Sequence, residues 1–238
     1  MSADEGVPGD EPAHGGAKLP NQAADGGAKL PGDKAALRRA ALAARRRLGP
    51  ADRRRADAAI AGALLPRARA AAVIAAYIPM PDEPGAVDLL DAMSAFSTVV
   101  APVPLPSGDL DWAAWTGADD LAPAGGAGRG GGSAGSAGGG RDGGARLMRP
   151  TGPTLGADYL RAAELIVVPA LSADRAGRRL GRGGGSYDRA LRRARPSTPI
   201  VALLFDGELV TALPADEWDI PVHAAITPGL GWTDLPAI

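Results

Sequence analysis

Two runs in this chain, Leu165–Pro169 and Ile200–Phe205, are apolar at every position instead of alternating with polar residues. A strand with one wet face alternates; a strand apolar throughout must be covered on both sides. Ala71–Tyr77 reads as a further strand, Thr98–Pro102 as a short one, and Leu110–Trp115 as another. Helical segments separate them: Ala86–Phe96, with Val87, Leu90 and Phe96 among its apolar positions, and Gly185–Ala194. Strands alternating with helices predict an α/β fold, a single domain with a largely parallel sheet covered by helices on both faces. Ligands of open sheets of that kind bind beyond the carboxyl ends of the strands.

Two helices precede the first strand. Asp33 is placed to N-cap one that runs to about Leu48, where Gly49-Pro50 stops it; Leu37, Ala41, Ala44 and Leu48 share a face. The second is expected from about Ala51 to Leu65, with Ala56, Ala59, Ile60, Ala63 and Leu64 inward. Residues 1–32 are rich in Gly, Ala, Pro and Asp and repeat Gly-Gly-Ala-Lys-Leu-Pro at 15–20 and 26–31. They read as a disordered extension, because such composition buries too little apolar surface to offset ordering. Residues 117–146, almost wholly Gly, Ala, Ser and Arg from 125 to 144, read as a flexible surface insertion in a domain spanning 33–232, with 233–238 as a tail.

Composition removes several chemistries. The chain has no cysteine, so it has no disulfide framework and no thiolate nucleophile or metal ligand. Its two histidines, His14 and His223, argue against a histidine metal cluster or a Ser/His/Asp triad. A net charge of −1 is not a nucleic-acid-binding balance. The charge is uneven, however. Lys34–Arg55 carries nine basic residues against Asp52, and Arg175–Arg195 carries eight arginines against Asp188. Such stretches suit a phosphate-bearing ligand or RNA, or are solvated helix faces. The longest apolar run, Ala70–Ile78, is nine residues, short of the ~20 that cross a bilayer. No basic region followed by an apolar one opens the chain, so a soluble cytoplasmic protein is expected.

The run Arg179-Leu180-Gly181-Arg182-Gly183-Gly184-Gly185-Ser186-Tyr187-Asp188 carries the most chemistry. Glycines let backbone N–H groups approach phosphate oxygens, and a helix N-terminus adds partial positive charge. Two arginines offer guanidinium forks and the aspartate a hard oxygen for a metal. It is neither a P-loop nor a Rossmann fingerprint.

With its flanks, this run resembles the 5-formyltetrahydrofolate cyclo-ligase (5,10-methenyltetrahydrofolate synthetase) family. The resemblance spans about Lys34 to Leu230. It rests on Val168-Pro169, Asp174-Arg175-Ala176-Gly177 and the glycine run; on Lys34-Ala35-Ala36-Leu37-Arg38; on Tyr77-Ile78-Pro79-Met80-Pro81-Asp82-Glu83; and on Glu217-Trp218-Asp219-Ile220-Pro221-Val222-His223 with Ile226-Thr227-Pro228. It implies a reaction dependent on ATP and Mg²⁺ that turns 5-formyltetrahydrofolate, with or without a polyglutamate tail, into 5,10-methenyltetrahydrofolate, with release of ADP and phosphate. Phosphorylating the formamide oxygen makes it a leaving group, and N10 then attacks the activated carbon. By the same resemblance Lys34, Arg38, Arg179, Gly181, Arg182, Gly183, Gly184, Gly185, Ser186 and Tyr187 are expected at the nucleotide, with Lys34 and Arg182 in catalytic roles. Ile78, Glu83, Arg182, Gly183, Gly184, Gly185 and Ser186 are expected at the folate, and Asp188 and Asp219 at Mg²⁺, directly or through water. Trp112 and Trp115 line the pterin pocket or fill core. A monomer is expected, without membrane or nucleic-acid partners.

The chain departs from the family pattern at Ser186, where a tyrosine is usual, at His223, where an aspartate is common, and at Arg149-Pro150, often Glu-Pro. The glycine-rich insertion has no common counterpart. These departures leave activity expected, with altered substrate affinity. A non-catalytic relative that binds RNA or folate, and an ATP-dependent enzyme with another acceptor, are the competing readings.

Overall fold

A computed structural model describes residues 33–125, 146–214, 216 and 218–236. The expected extension 1–32 and most of the insertion lie outside them. Asp33 caps α1 (Lys34–Arg46), its side chain accepting from Ala35 N–H. Helix α2 (Pro50–Ala68) starts on Pro50, whose fixed φ suits a first turn, and runs a turn beyond the expected end.

The strands are β1 (Val73–Ala76), β2 (Thr98–Pro104), β3 (Leu110–Ala114), β4 (Leu121–Pro123), β5 (Met148–Pro150), β6 (Leu165–Pro169), β7 (Ser172–Asp174), β8 (Arg179–Leu180), β9 (Ile200–Leu203), β10 (Leu209–Val210), β11 (Ala224–Thr227) and β12 (Gly231–Asp234). Helices α3 (Asp88–Ser94) and α4 (Ser186–Leu191) complete the set. The main sheet has the order β12-β11-β9-β6-β1-β2-β3. Its five inner strands are parallel, with Ile74 opposite both Val99 and Leu165, and Ile166 opposite Ile200. Both edge strands are antiparallel.

Alternate residues of the apolar strands feed two cores. Ile74, Ala76, Val167, Val201, Leu203 and Ile226 pack with Ile60 and Leu64 of α2 and Leu90 and Met93 of α3. Ala75, Ile166, Val168, Ala202, Leu204 and Ala225 pack on the other face with Trp112, Leu160 and Leu191. Full burial on both sides is the physical reason these runs do not alternate.

Four features differ from expectation. Helix α4 has six residues, not ten, so its face of the sheet is also covered by a 3-10 turn, Ala157–Ala162, that supplies Leu160. A hairpin, β7–β8, stands between β6 and the glycine run and joins β10 in a small second sheet. Leu121–Pro123 pairs with Met148–Pro150, so the stretch read as insertion has a structured root. Residues 233 and 234 belong to β12, and Leu235 N–H donates to His223 O, so the sheet takes in part of the expected tail.

Candidate functional site

Chain order runs outward from the middle of the sheet in both directions: β1 leads to β2 on one side, β6 to β9 on the other. The segments leaving the carboxyl ends of β1 and β6 therefore part from each other and leave a crevice. A cavity of about 360 Å³ lies there. Lys34 and Arg38 reach it from α1, Ile78 and Glu83 from the segment after β1, and Arg179 from β8. Gly181 through Asp188 follow from the glycine run, and Asp219 from the segment before β11. Every residue singled out above for nucleotide, folate or metal lines this one cavity except Trp112 and Trp115.

The Asp-Arg-x-Gly step sets the loop in place. Buried Asp174 accepts from Ala176 and Arg178 N–H through Oδ1 and from Leu213 N–H through Oδ2. Gly177 has φ +82°, and a Cβ there would lie 2.6 Å from Val222 O. Aspartate and glycine are thus needed to turn the β7–β8 hairpin, which delivers Arg179 and the glycine run to the cavity.

Most charges here are already paired. Lys34 Nζ donates to Asp216 Oδ2 and Asp219 Oδ2, each at 2.8 Å. Burial opposes the ammonium charge, but these two bonds outweigh it and hold the Lys34 pKa above its ordinary value. Asp219 goes the other way: burial raises its pKa, while bonds from Asp216 N–H and Lys34 prevail and keep it below the usual carboxylate value. Arg179 Nη2 donates to Asp188 Oδ1 at 2.6 Å. Arg182 donates from Nε to Glu83 Oε1 at 2.9 Å and from Nη2 to Asp82 Oδ1 at 2.6 Å, joining the glycine run to the segment after β1. Arg38 Nε donates to Gly181 O at 2.9 Å. Gly183 has φ +106°, and a Cβ there would lie 3.4 Å from Arg38 Cζ, so glycine keeps the backbone close beneath that guanidinium.

Among the described residues, two buried polar atoms in this wall, Arg179 Nε and Tyr187 Oη, find no hydrogen-bond partner. Burial, and then Glu83, push the Tyr187 pKa up strongly, so the phenol keeps its proton. The donor set fits a nucleotide phosphate with a hard divalent cation: four cationic side chains, a glycine-rich loop, and four carboxylates, Glu83, Asp188, Asp216 and Asp219. No group of three or more His, Cys, Asp or Glu among the described residues is arranged to hold a metal ion. Mg²⁺ commonly takes one or two carboxylates and completes its shell with water and phosphate, and Asp188 and Asp219 are the cavity carboxylates singled out for it.

Other candidates fall outside the cavity. Trp112 and Trp115 are 1% and 7% exposed and lie outside the cavity; Trp115 Nε1 donates to Asp91 Oδ1. They fill core. His223 is outside the cavity as well: its Nδ1 accepts from Ile200 N–H, joining the start of β9 to the approach to β11. Arg149 lies on β5 and does not line the cavity. A six-residue α4 adds little dipole, so anion donors come from the loop amides and side chains. The basic stretch Lys34–Arg55 is not wholly a solvated face either, because Arg45 is 1% exposed and paired with Glu208. Asp216 was not anticipated. Its position three residues before Asp219, the carboxylate expected at the metal, was the available signal.

The model of the 5-formyltetrahydrofolate cyclo-ligase family matches residues 31–228. Among solved structures the chain is similar to the 5,10-methenyltetrahydrofolate synthetase of Aquifex aeolicus, determined by NMR. The TM-score is 0.65 and the identity 24%, over 86% of this chain and 94% of that one. It is also similar to the 5,10-methenyltetrahydrofolate synthetase of Mycoplasma pneumoniae, with TM-score 0.59 and 18% identity over 81% and 97%. At those identities the likeness is one of fold. No curated protein matches the chain by sequence.

Proposed function

This chain belongs to the 5-formyltetrahydrofolate cyclo-ligase family, a family of folate ligases, and from that premise we propose that it closes the folate ring at the expense of ATP with Mg²⁺. The observation that supports this most is the convergence of Lys34, Arg38, Arg179 and Arg182 with Asp188 and Asp219 around the glycine run in one cavity. Bound MgATP supplies the phosphoryl group that turns the formyl oxygen into a leaving group. Transfer of that kind asks for positioning and charge neutralisation more than covalent help.

In this reading Lys34 and Arg38, four residues apart on α1, hold phosphate oxygens from one side. Arg179 and the amides of Gly183–Ser186 hold them from the other. Arg182 gives up its carboxylate partners and neutralises charge where the phosphoryl group meets the formyl oxygen. Asp188 and Asp219 are the oxygens offered to the metal. Glu83, whose side chain is 7% exposed, accepts from N–H groups of the pterin edge, and Ile78 forms the apolar wall beneath the ring. With the two reactants held together, N10 reaches the formyl carbon as an intramolecular nucleophile.

No helix among the described residues is long and apolar enough to cross a membrane. We take the working form as a soluble cytoplasmic monomer whose substrate carries zero or more additional glutamates.

The test is formation of the methenyl chromophore from 5-formyltetrahydrofolate by purified protein. We expect absorbance to rise only with both ATP and Mg²⁺, to stop on chelation, and to return with excess Mg²⁺. Asp188→Ala is expected to slow it at least about hundredfold, the scale for losing one preorganised charge-stabilising contact. Turnover that survives chelation sinks the metal assignment. A folded wild type that makes no product sinks the acceptor.

A further inference from the structure

The glycine run is expensive to hold still, because glycine loses more backbone freedom on ordering than any other residue. Two arginines tie it from opposite sides. Arg38, inside the cavity, takes Gly181 O at 2.9 Å. Arg189 is not among the cavity residues. Its Nη2 donates to Gly184 O at 3.1 Å, approaches Ser186 Oγ at 3.4 Å, and donates to Gly108 O in the turn between β2 and β3.

The fit is close at both ends. A Cβ on Gly108 (φ +81°) would lie 2.7 Å from Arg189 Nη2, and one on Gly185 (φ +67°) would lie 3.0 Å from Nη1. The guanidinium thus lies against two glycines on different segments. Arg193 steadies the same turn, with Nη1 and Nη2 on the two Asp109 carboxylate oxygens at 3.1 and 2.6 Å and Nη1 on Arg189 O at 3.3 Å. That turn is flanked by Pro104 and Leu110, both in the cavity wall. Ser186 gains a purpose here: a phenol ring at 186 has no oxygen at the γ position to meet Arg189.

We propose that Arg189 is a positioning residue that fastens Gly184–Ser186 to the β2–β3 turn, fixing the glycine run's amides relative to the opposite cavity wall before ligand arrives. It rests on the reading of that run as the ATP phosphate site. Arg189 touches no reacting atom. It removes an ordering cost that nucleotide binding would otherwise carry, so its loss falls on KM for ATP more than on kcat.

The experiment compares full-length wild type, Arg189→Met and Arg189→Lys without ligand and in turnover. Amide hydrogen exchange at residues 183–186, thermal midpoint, KM for ATP and kcat are read. Arg189→Met is expected to speed loop exchange selectively and raise KM for ATP about tenfold, the scale of one or two lost hydrogen bonds, with kcat within about threefold. Arg189→Lys keeps one donor for Gly184 O and is expected to fall between the two. Unchanged exchange and KM overturn the proposal, as does faster exchange spread evenly over the whole sheet with a lowered midpoint. Should Arg189→Met fail to fold, Arg189→Lys decides: wild-type loop exchange and KM there overturn it. Selective loop exchange alongside a wild type that binds no ATP leaves the fastening intact and removes the ATP reading instead.

Discussion

Replacing Arg45 with methionine tests whether α1, which carries Lys34 and Arg38, is held by a buried ion pair. Arg45 is 1% exposed. Its Nε and Nη2 meet Glu208 Oε1 and Oε2 at 2.7 and 2.8 Å, and Nη2 also donates to Ala170 O in the cavity wall. Its Cζ lies 5.4 Å from the centroid of Phe205, whose N–H donates to Glu208 Oε2. Methionine keeps most of the length and none of the donors. Glu208, with its side chain 11% exposed, then keeps its charge without its cation, and Ala170 O loses a donor. Breaking one side of a buried pair costs about 3–5 kcal/mol. In a domain of roughly 200 residues that lowers the thermal midpoint by about 6–20 °C. The double variant Arg45→Met/Glu208→Gln removes both charges and is expected to be less damaged than the sum of the singles by at least about 1 kcal/mol. Urea unfolding of the four proteins gives the cycle. A single-variant loss under about 1 kcal/mol, or strict additivity, refutes the reasoning and reduces the pair to a surface contact.

The Lys34–Asp219 contact predicts a pH signature. Asp219 has its folded pKa depressed, so its contribution is present above the ordinary carboxylate value and is lost as pH falls through the folded one. Lys34 has its folded pKa raised, so its contribution is present below the ordinary lysine value and is lost as pH rises through the folded one. Stability from the pair is thus flat from about pH 4 to about pH 10, and subtracting the Lys34→Met melting curve from wild type is expected to show both limbs; parallel curves would contradict the pairing. Gly183→Ala places a side chain at φ +106° beside Arg38. The variant's strain of about 1–3 kcal/mol at that position, relieved by local relaxation of the free loop and restored on binding, is expected to weaken ATP about 5- to 150-fold by calorimetry; an unchanged Kd with a selectively lowered thermal midpoint would show that the strain persists in the free loop, and an unchanged Kd with an unchanged midpoint would show that those amides are not the phosphate cradle.

The parallel sheet was legible because Leu165–Pro169 and Ile200–Phe205 carry no polar residue to alternate. The cavity was legible through Lys34 and Arg38, whose spacing of four forces them onto one helix face, and through glycines no ordinary strand or helix would keep. What stayed hidden depends on distant contacts. Nothing local distinguishes Arg45 from its exposed neighbours Arg46 and Arg47; Glu208, far along the chain, does. The β7–β8 hairpin is short and its pairing is set by Asp174, whose partners Arg178 and Leu213 no periodicity reveals. Trp112 reads equally as wall or core until its strand is placed in the sheet.

Arg182 and Glu83 face each other across the site, each serving as the other's provisional ligand. Under the proposed roles, a folate that takes Glu83 would leave Arg182 held by Asp82 alone, and a phosphate that takes Arg182 would free Glu83. Occupancy of either half would thereby alter the affinity of the other, by one common factor in both directions. On those proposed roles the two substrates would be heterotropic effectors of each other through the Arg182 guanidinium. Separate titrations with one substrate alone would then measure a site still latched by its own side chains, and are expected to report weaker affinity than the ternary complex.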